Sequence, residues 1–116
     1  NNTISNCGRY AIETYHRNTE IVGNRFVSNV NAIFADENIL NVVNNTFEWN
    51  THSVIKVQFD VDNDGVIDGN TFVHNGATDS CTNLIEVVEG GRKLTIKRNT
   101  FRNNSCQSSL LALNDN

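Results

Sequence analysis

The stretch "NNTFEWNTHSVI", residues 44–55, returns in altered form as "GNTFVHN" at 69–75 and "RNTFRNN" at 98–104. Aligned on Asn-x-(aromatic or aliphatic), the phrase has five copies. They are Asn2-Thr3-Ile4, Asn24-Arg25-Phe26, Asn45-Thr46-Phe47, Asn70-Thr71-Phe72 and Asn99-Thr100-Phe101, at intervals of 22, 21, 25 and 29 residues. Self-similarity at such a period marks a repeat architecture, in which each unit buries its apolar face only against its neighbours.

Further columns fall into line on the same alignment. A second polar column holds Cys7, Asn29, Asn50, Asn75 and Asn104. An aliphatic one holds Ile12, Ile33, Ile55, Ile85 and Leu111, with Thr14, Ala35, Val57, Val87 and Leu113 two positions on. Before each anchoring Asn stand Ile21, Val42, Ile67 and Ile96, preceded at two residues by Thr19, Leu40, Gly65 and Leu94. The spacing of two predicts short strands, three per unit, and excludes helical repeats, which need a 3.6-residue period. Stacking like on like sets Phe26, Phe47, Phe72 and Phe101 in one column at ~4.8 Å per coil. Each buried Phe or Ile contributes roughly 1.5–3 kcal/mol over exposure. Asn suits the turns, because its side chain caps nearby backbone and tolerates left-handed φ, and stacked Asn can pair along the axis. Because strands must keep register, the extra residues collect in turns, namely "DVDND" (60–64) and "GATDSCTN" (76–83). The expected architecture is an all-β solenoid of about five coils over residues 1–116, a single segment of a longer protein.

The repeats "GNRFVSNVNAI" (23–33) and "NNTFEWNTHSVI" resemble those of right-handed parallel β-helix proteins, the pectin-lyase-like family, along nearly the whole chain. The resemblance implies the fold and leaves the activity open, since that fold hosts lyases, glycosidases, phage tailspikes, adhesins and non-catalytic scaffolds.

Composition narrows the classes. At 13.0 kDa the chain has the size of one domain, and its mean hydropathy is −0.40. A net charge of −4 without a basic cluster counts against nucleic-acid binding. No apolar run reaches the length of a membrane span, so no membrane insertion by this segment is expected. Cys7 takes an Asn position and is expected buried beneath Asn29. Cys81 and Cys106 precede Ile85 and Leu111 by 4 and 5 residues, which sets both in the same turn of adjacent coils. One coil spacing lies within disulfide reach, so a Cys81–Cys106 bond is predicted, and with it an oxidising compartment. Glycosylation sequons at Asn1, Asn44 and Asn103 agree with a secreted protein or the extracellular part of a membrane protein.

"DVDNDGVID" (60–68) resembles the calcium loop of EF-hands, dockerins and thrombospondin repeats. The resemblance implies calcium held by Asp60, Asp62, Asp64, the Val66 carbonyl and Asp68, with Gly65 at the sharp turn. Position twelve departs from the pattern: it is Thr71, which gives no bidentate carboxylate. The other reading is an acidic solvated turn with Ile67 in the core. Calcium is the one cofactor suggested.

No reaction is legible. Outward positions on the aliphatic strand read Glu13, Phe34, Lys56, Glu86 and Ala112, and beside the third strand Glu20, Asn41, Val66 and Thr95. These carry mixed charge and no carboxylate cluster, and the "NTD", "DD" and "GHG" signatures of polygalacturonases are missing. His16, His52 and His74 fall at unrelated phases, and Glu86, Glu89 and Lys93 make surface pairs. Trp49, placed with Ser5, Ser28, His74 and Asn103 at a strand corner, joins Phe34, Tyr15 and Phe59 as an expected stacking patch. The sequence thus points to a non-catalytic scaffold or adhesive surface that meets protein or glycan on a cell surface. The second reading is a segment of a polysaccharide lyase or glycosidase, or a glycan-binding tailspike or adhesin. The Asn-rich texture is also similar to the extracellular repeats of the insect bark beetle (anakonda) family of tricellular-junction proteins. That similarity implies cell-junction adhesion and a membrane anchor elsewhere.

Overall fold

In the computed structural model the rings of Phe26, Phe47, Phe72 and Phe101 lie one over the next. Their centroids are 5.0, 4.8 and 4.8 Å apart and their planes 12°, 14° and 9° from parallel. The structure describes residues 1–15, 18–36, 39–58, 64–77, 81, 83–88, 93–106 and 109–114. The side chains of Lys93 and of 109–114 lie outside this description.

Three sheets surround the column, and every pairing is parallel. The first sheet comprises β1 (Thr3–Ser5), β4 (Arg25–Val27), β7 (Thr46–Glu48), β10 (Thr71–Val73) and β13 (Thr100–Arg102). The second comprises β2 (Tyr10–Tyr15), β5 (Asn31–Asp36), β8 (Ile55–Gln58), β11 (Asn83–Val88) and β14 (Ser109–Asn114). The third comprises β3 (Thr19–Val22), β6 (Leu40–Val43), β9 (Asp64–Asp68) and β12 (Lys93–Lys97). The chain visits the sheets in rotation, so each of the first four coils contributes one strand to each sheet and the fifth adds β13 and β14. Cα partners follow the expected columns: Ile12 with Ile33, Ile33 with Ile55, Ile55 with Ile85, Ile85 with Leu111. Likewise Ile21 pairs with Val42, Val42 with Ile67 and Ile67 with Ile96. The extra residues of the longer intervals fall between β8 and β9 and between β10 and β11, as expected.

Two polar ladders run beside the apolar column. In one, the backbone N–H groups of Asn2, Asn24, Asn45 and Asn70 donate to Oδ1 of Asn24, Asn45, Asn70 and Asn99 at 2.8–3.0 Å. In the other, those of Cys7, Asn29, Asn50 and Asn75 donate to Oδ1 of Asn29, Asn50, Asn75 and Asn104 at 2.9–3.0 Å. The side-chain amides then reach back one coil. Asn45, Asn70 and Asn99 donate to the Ile21, Val42 and Ile67 carbonyls, and Asn50, Asn75 and Asn104 to those of Phe26, Phe47 and Phe72. Asn29, Asn45, Asn50, Asn70 and Asn75 are almost wholly buried. Burial of Asn45, Asn50, Asn70 and Asn75 is tolerated because each amide makes two donations and accepts through its oxygen.

The structure relocates the left-handed backbone expected of these asparagines. It belongs instead to the residue just before each rung: Asn6, Ser28, Trp49, His74 and Asn103 in one corner, Gly23, Asn44, Gly69 and Arg98 in the other, at φ 53–70°. A single αL residue between extended neighbours bends the chain sharply from one sheet to the next. The rung itself stays extended and so aims its amide along the axis. Trp49 therefore aligns with Asn6, not with Ser5, whose Cα partner is Val27.

Strict alternation also fails at the entry to the second sheet. Ala32 and Ile33 are both fully buried, as are Val54 with Ile55 and Leu84 with Ile85. The N–H groups of Ala32 and Ile33 both donate to the Val54 carbonyl, at 3.1 and 2.9 Å. Two donors on one acceptor mark a bulge-like kink, which turns two successive side chains inward at the entry to the second sheet.

Candidate functional site

The kink decides what the second sheet shows to solvent. By simple alternation Tyr10 shares the inward parity of Ile12, but Ala11 and Ile12, level with Ala32 and Ile33, both pack against the core, which leaves Tyr10 on the outer side. Tyr10 then meets the outward Phe34, with ring centroids 5.2 Å apart and planes at 42°. Tyr15, at the far end of the same strand, meets Phe34 from the other side at 5.8 Å and 56°. Glu13 is the Cα partner of Phe34 on one side and Lys56 on the other, with Glu86 beyond Lys56.

A polar network ties the cluster together. The Tyr15 hydroxyl donates to Glu13 Oε2 at 3.1 Å, and Glu13 Oε1 lies 3.4 Å from Arg9 Nε. The Arg9 guanidinium sits 5.9 Å from the Tyr10 ring centroid. The hydrogen bond to Glu13 raises the Tyr15 pKa, with burial adding to it, while burial is the main cause of the rise at Tyr10. Both phenols therefore stay protonated and able to donate. The arrangement is an aromatic surface bordered by an anion and a cation. Such a surface takes the apolar face of a sugar or an apolar side chain while engaging hydroxyl or charged groups at its edge.

Trp49 belongs to a different feature. It stands at an αL corner, 53% exposed, and stacks on His74 of the next coil at 4.4 Å and 11°. The expected patch thus divides: Trp49 stacks on His74, while Phe34 and Tyr15 stand together with Tyr10. Phe59 lies outside the described residues, as do His16 and Glu89. His52 Nδ1 is 3.0 Å from Thr51 Oγ1.

Of the expected calcium ligands, Asp60 and Asp62 lie outside the described residues. Asp64, Val66 and Asp68 alternate along the extended strand β9, and Gly65 is an inward position paired with Leu40 and Leu94. At ~3.3 Å of rise per residue, Asp64 and Asp68 are too far apart to converge on one ion. The Asp68 carboxylate is already engaged by Arg98, at 2.8 Å from Nε and 2.5 Å from the terminal nitrogen, with Lys97 Nζ at 3.9 Å. The hydrogen bond from Arg98 holds its pKa below the ordinary carboxylate value. The described half of the loop does not fit an EF-hand-type site.

Cys81 and Cys106 form the predicted disulfide, with Cα atoms 4.8 Å apart. Gly76 lies against it at φ 81°, and a Cβ there would stand 2.6 Å from Cys106 Sγ. Cys7 is a free thiol and partly exposed rather than buried, while its N–H holds the expected place on Asn29 Oδ1 at 3.0 Å.

Parallel strands in register, in-line Asn rungs and a stacked apolar column define a parallel β-helix. The family described as right handed beta helix region matches residues 1–116, and the chain belongs to that family. No curated protein and no solved structure is similar enough to the chain to count as a match. Among the described residues, no helix is long and apolar enough to cross a membrane.

Proposed function

We propose that this chain is a non-catalytic extracellular β-helix segment, a rigid scaffold that presents an adhesive surface to protein or glycan on a cell surface. The observation that carries this reading is the Phe34 cluster. Three aromatic rings stand on the outside of a sheet whose interior is locked by apolar columns and Asn ladders. Rings on so rigid a support lose little entropy on binding, which favours recognition. The disulfide supports an oxidising, extracellular setting. The similarity to tricellular-junction repeats supports a junctional role.

Placement of Phe34 between Glu13 and Lys56 favours a glycan over a purely apolar peptide, since both borders can engage hydroxyls. Beads coated with the protein should adhere to cells or to an immobilised glycan array, and Phe34→Ala with Tyr15→Ala should abolish that adhesion. Release of unsaturated, ultraviolet-absorbing products from polyuronate would instead make the chain part of a lyase and overturn the reading.

A further inference from the structure

The repeat writes Asn twice in succession at 44–45 and 103–104, and the fold gives the two members opposite fates. Asn45 is buried, and Asn45 and Asn104 are both rungs with their amides engaged. Asn44 and Asn103 are exposed αL residues at φ 55° and 56°, and among the described residues their side-chain amides have no hydrogen-bond partner. The ladder does not demand Asn at that place: Gly23, Ser28, Trp49, His74, Gly69 and Arg98 fill it in other coils. Beside Asn44 the next coil supplies Gly69, where a Cβ would come within 2.5 Å of Asn44 Oδ1, so the glycine leaves room for the amide. Each exposed Asn is followed at two residues by a hydroxyl, Thr46 or Ser105.

We propose that Asn44 and Asn103 carry N-linked glycans. In the transfer, the side-chain Nδ2 attacks the anomeric carbon of a lipid-diphosphate-linked oligosaccharide. The bond from that carbon to the phosphate oxygen breaks, the lipid diphosphate leaves with the electron pair, and the amide loses one proton to a base of the transferring enzyme. The folded chain accepts the product because each attachment point lies at a corner, outside both ladders. The two corners border the first sheet on opposite sides, one before β7 and one after β13. The Asn103 corner also adjoins the second sheet, at its β14 edge, three strands from the β5 strand that carries Phe34. The proposal rests on the extracellular reading above.

Two arms test it. Native protein is treated with peptide N-glycosidase in heavy-oxygen water, and peptides are read by mass spectrometry. Asn44 and Asn103 should appear as labelled Asp while Asn45 and Asn104 stay unlabelled; native protein unlabelled at both overturns the proposal. If that unlabelled protein is secreted and adheres, the glycosylation proposal alone falls; if it is found inside cells, the extracellular reading falls too. In the second arm the full chain is secreted from cultured eukaryotic cells behind an added leader. Asn44→Gln and Thr46→Ala should each remove one glycan, and Asn103→Gln the other. Asn45→Ala keeps the sequon and should keep the glycan on whatever protein is secreted. Loss of no glycan in Asn44→Gln and Thr46→Ala would overturn the assignment.

Discussion

Asn75 Oδ1 accepts two hydrogen bonds from Asn50, one from its backbone N–H at 3.0 Å and one from its side-chain amide at 2.9 Å. Asn50 in turn donates to the Phe26 carbonyl at 3.1 Å and accepts the Asn29 N–H at 3.0 Å. One residue thus joins three coils, using every donor and acceptor it has. Asp at this position lacks the donors, and Gln is one methylene too long for both bonds at once.

Asn50→Ala therefore strands the Asn29 N–H and the Phe26 carbonyl in a dry interior. Each buried group left without a partner costs about 1–3 kcal/mol. Urea unfolding should show a midpoint well below wild type. Asn44→Gly, at an exposed left-handed corner outside both ladders, should shift it far less.

Phe47 is fully buried between Phe26 and Phe72. Phe47→Ala opens a cavity in the middle of the column, because rigid coils above and below cannot collapse into it. A loss of about 3–5 kcal/mol is expected. Phe101, only partly buried, should lose less on the same substitution. Equal losses at the two positions would contradict a continuous stack.

How much of this was legible follows from what each feature needs. Register needs only repeated side chains, so the pairing of Ile12, Ile33, Ile55 and Ile85 could be read directly from spacing. The disulfide needed only two cysteines at one phase of neighbouring coils. The αL residues escaped because the position tolerates Trp49, His74 and Arg98 as well as Gly23, which leaves no residue-type signal. Tyr10 escaped because period two holds only until the backbone kinks, and a kink one residue long has no signature beyond paired apolars such as Ala32–Ile33. The Asp68–Arg98 pair spans 30 residues in sequence, a separation that no local pattern records.

The Cys81–Cys106 bond closes a loop with a sequence separation of 25 residues. Removing it by Cys106→Ser should cost about 2–4 kcal/mol, chiefly by freeing the unfolded chain. Gly76→Ala should damage the same corner from the other side. Its Cβ would sit 2.6 Å from Cys106 Sγ and 2.9 Å from the Cys106 backbone nitrogen, at a φ of 81° that alanine resists. Thermal melts of both variants, with free-thiol titration of Gly76→Ala, check this. Full-strength disulfide formation and an unchanged melt in Gly76→Ala would show the contact to be slack.

Asp68 makes stability depend on acid in a defined direction. Its side chain is largely shielded from solvent, and the hydrogen bond from Arg98 lowers its pKa in the folded state. In the unfolded chain a carboxyl titrates near ~3.9. The folded state therefore binds this proton less readily than the unfolded one, and the pair stabilises the fold fully above that ordinary value. As pH falls, protons favour the unfolded chain, and the contribution is lost once pH passes the lower folded value. Arg98 stays charged throughout, so the transition belongs to the carboxylate alone. Asp68→Asn should lower the melting temperature near neutral pH and narrow its gap to wild type below pH ~3. Arg98→Gly separates the ion pair from the backbone: it removes the guanidinium and also relieves the left-handed φ of 53°. It should flatten the acid dependence as Asp68→Asn does, with a smaller loss at neutral pH. A gap between Asp68→Asn and wild type that stays constant down to pH ~2 would mean that the carboxylate gains nothing from Arg98.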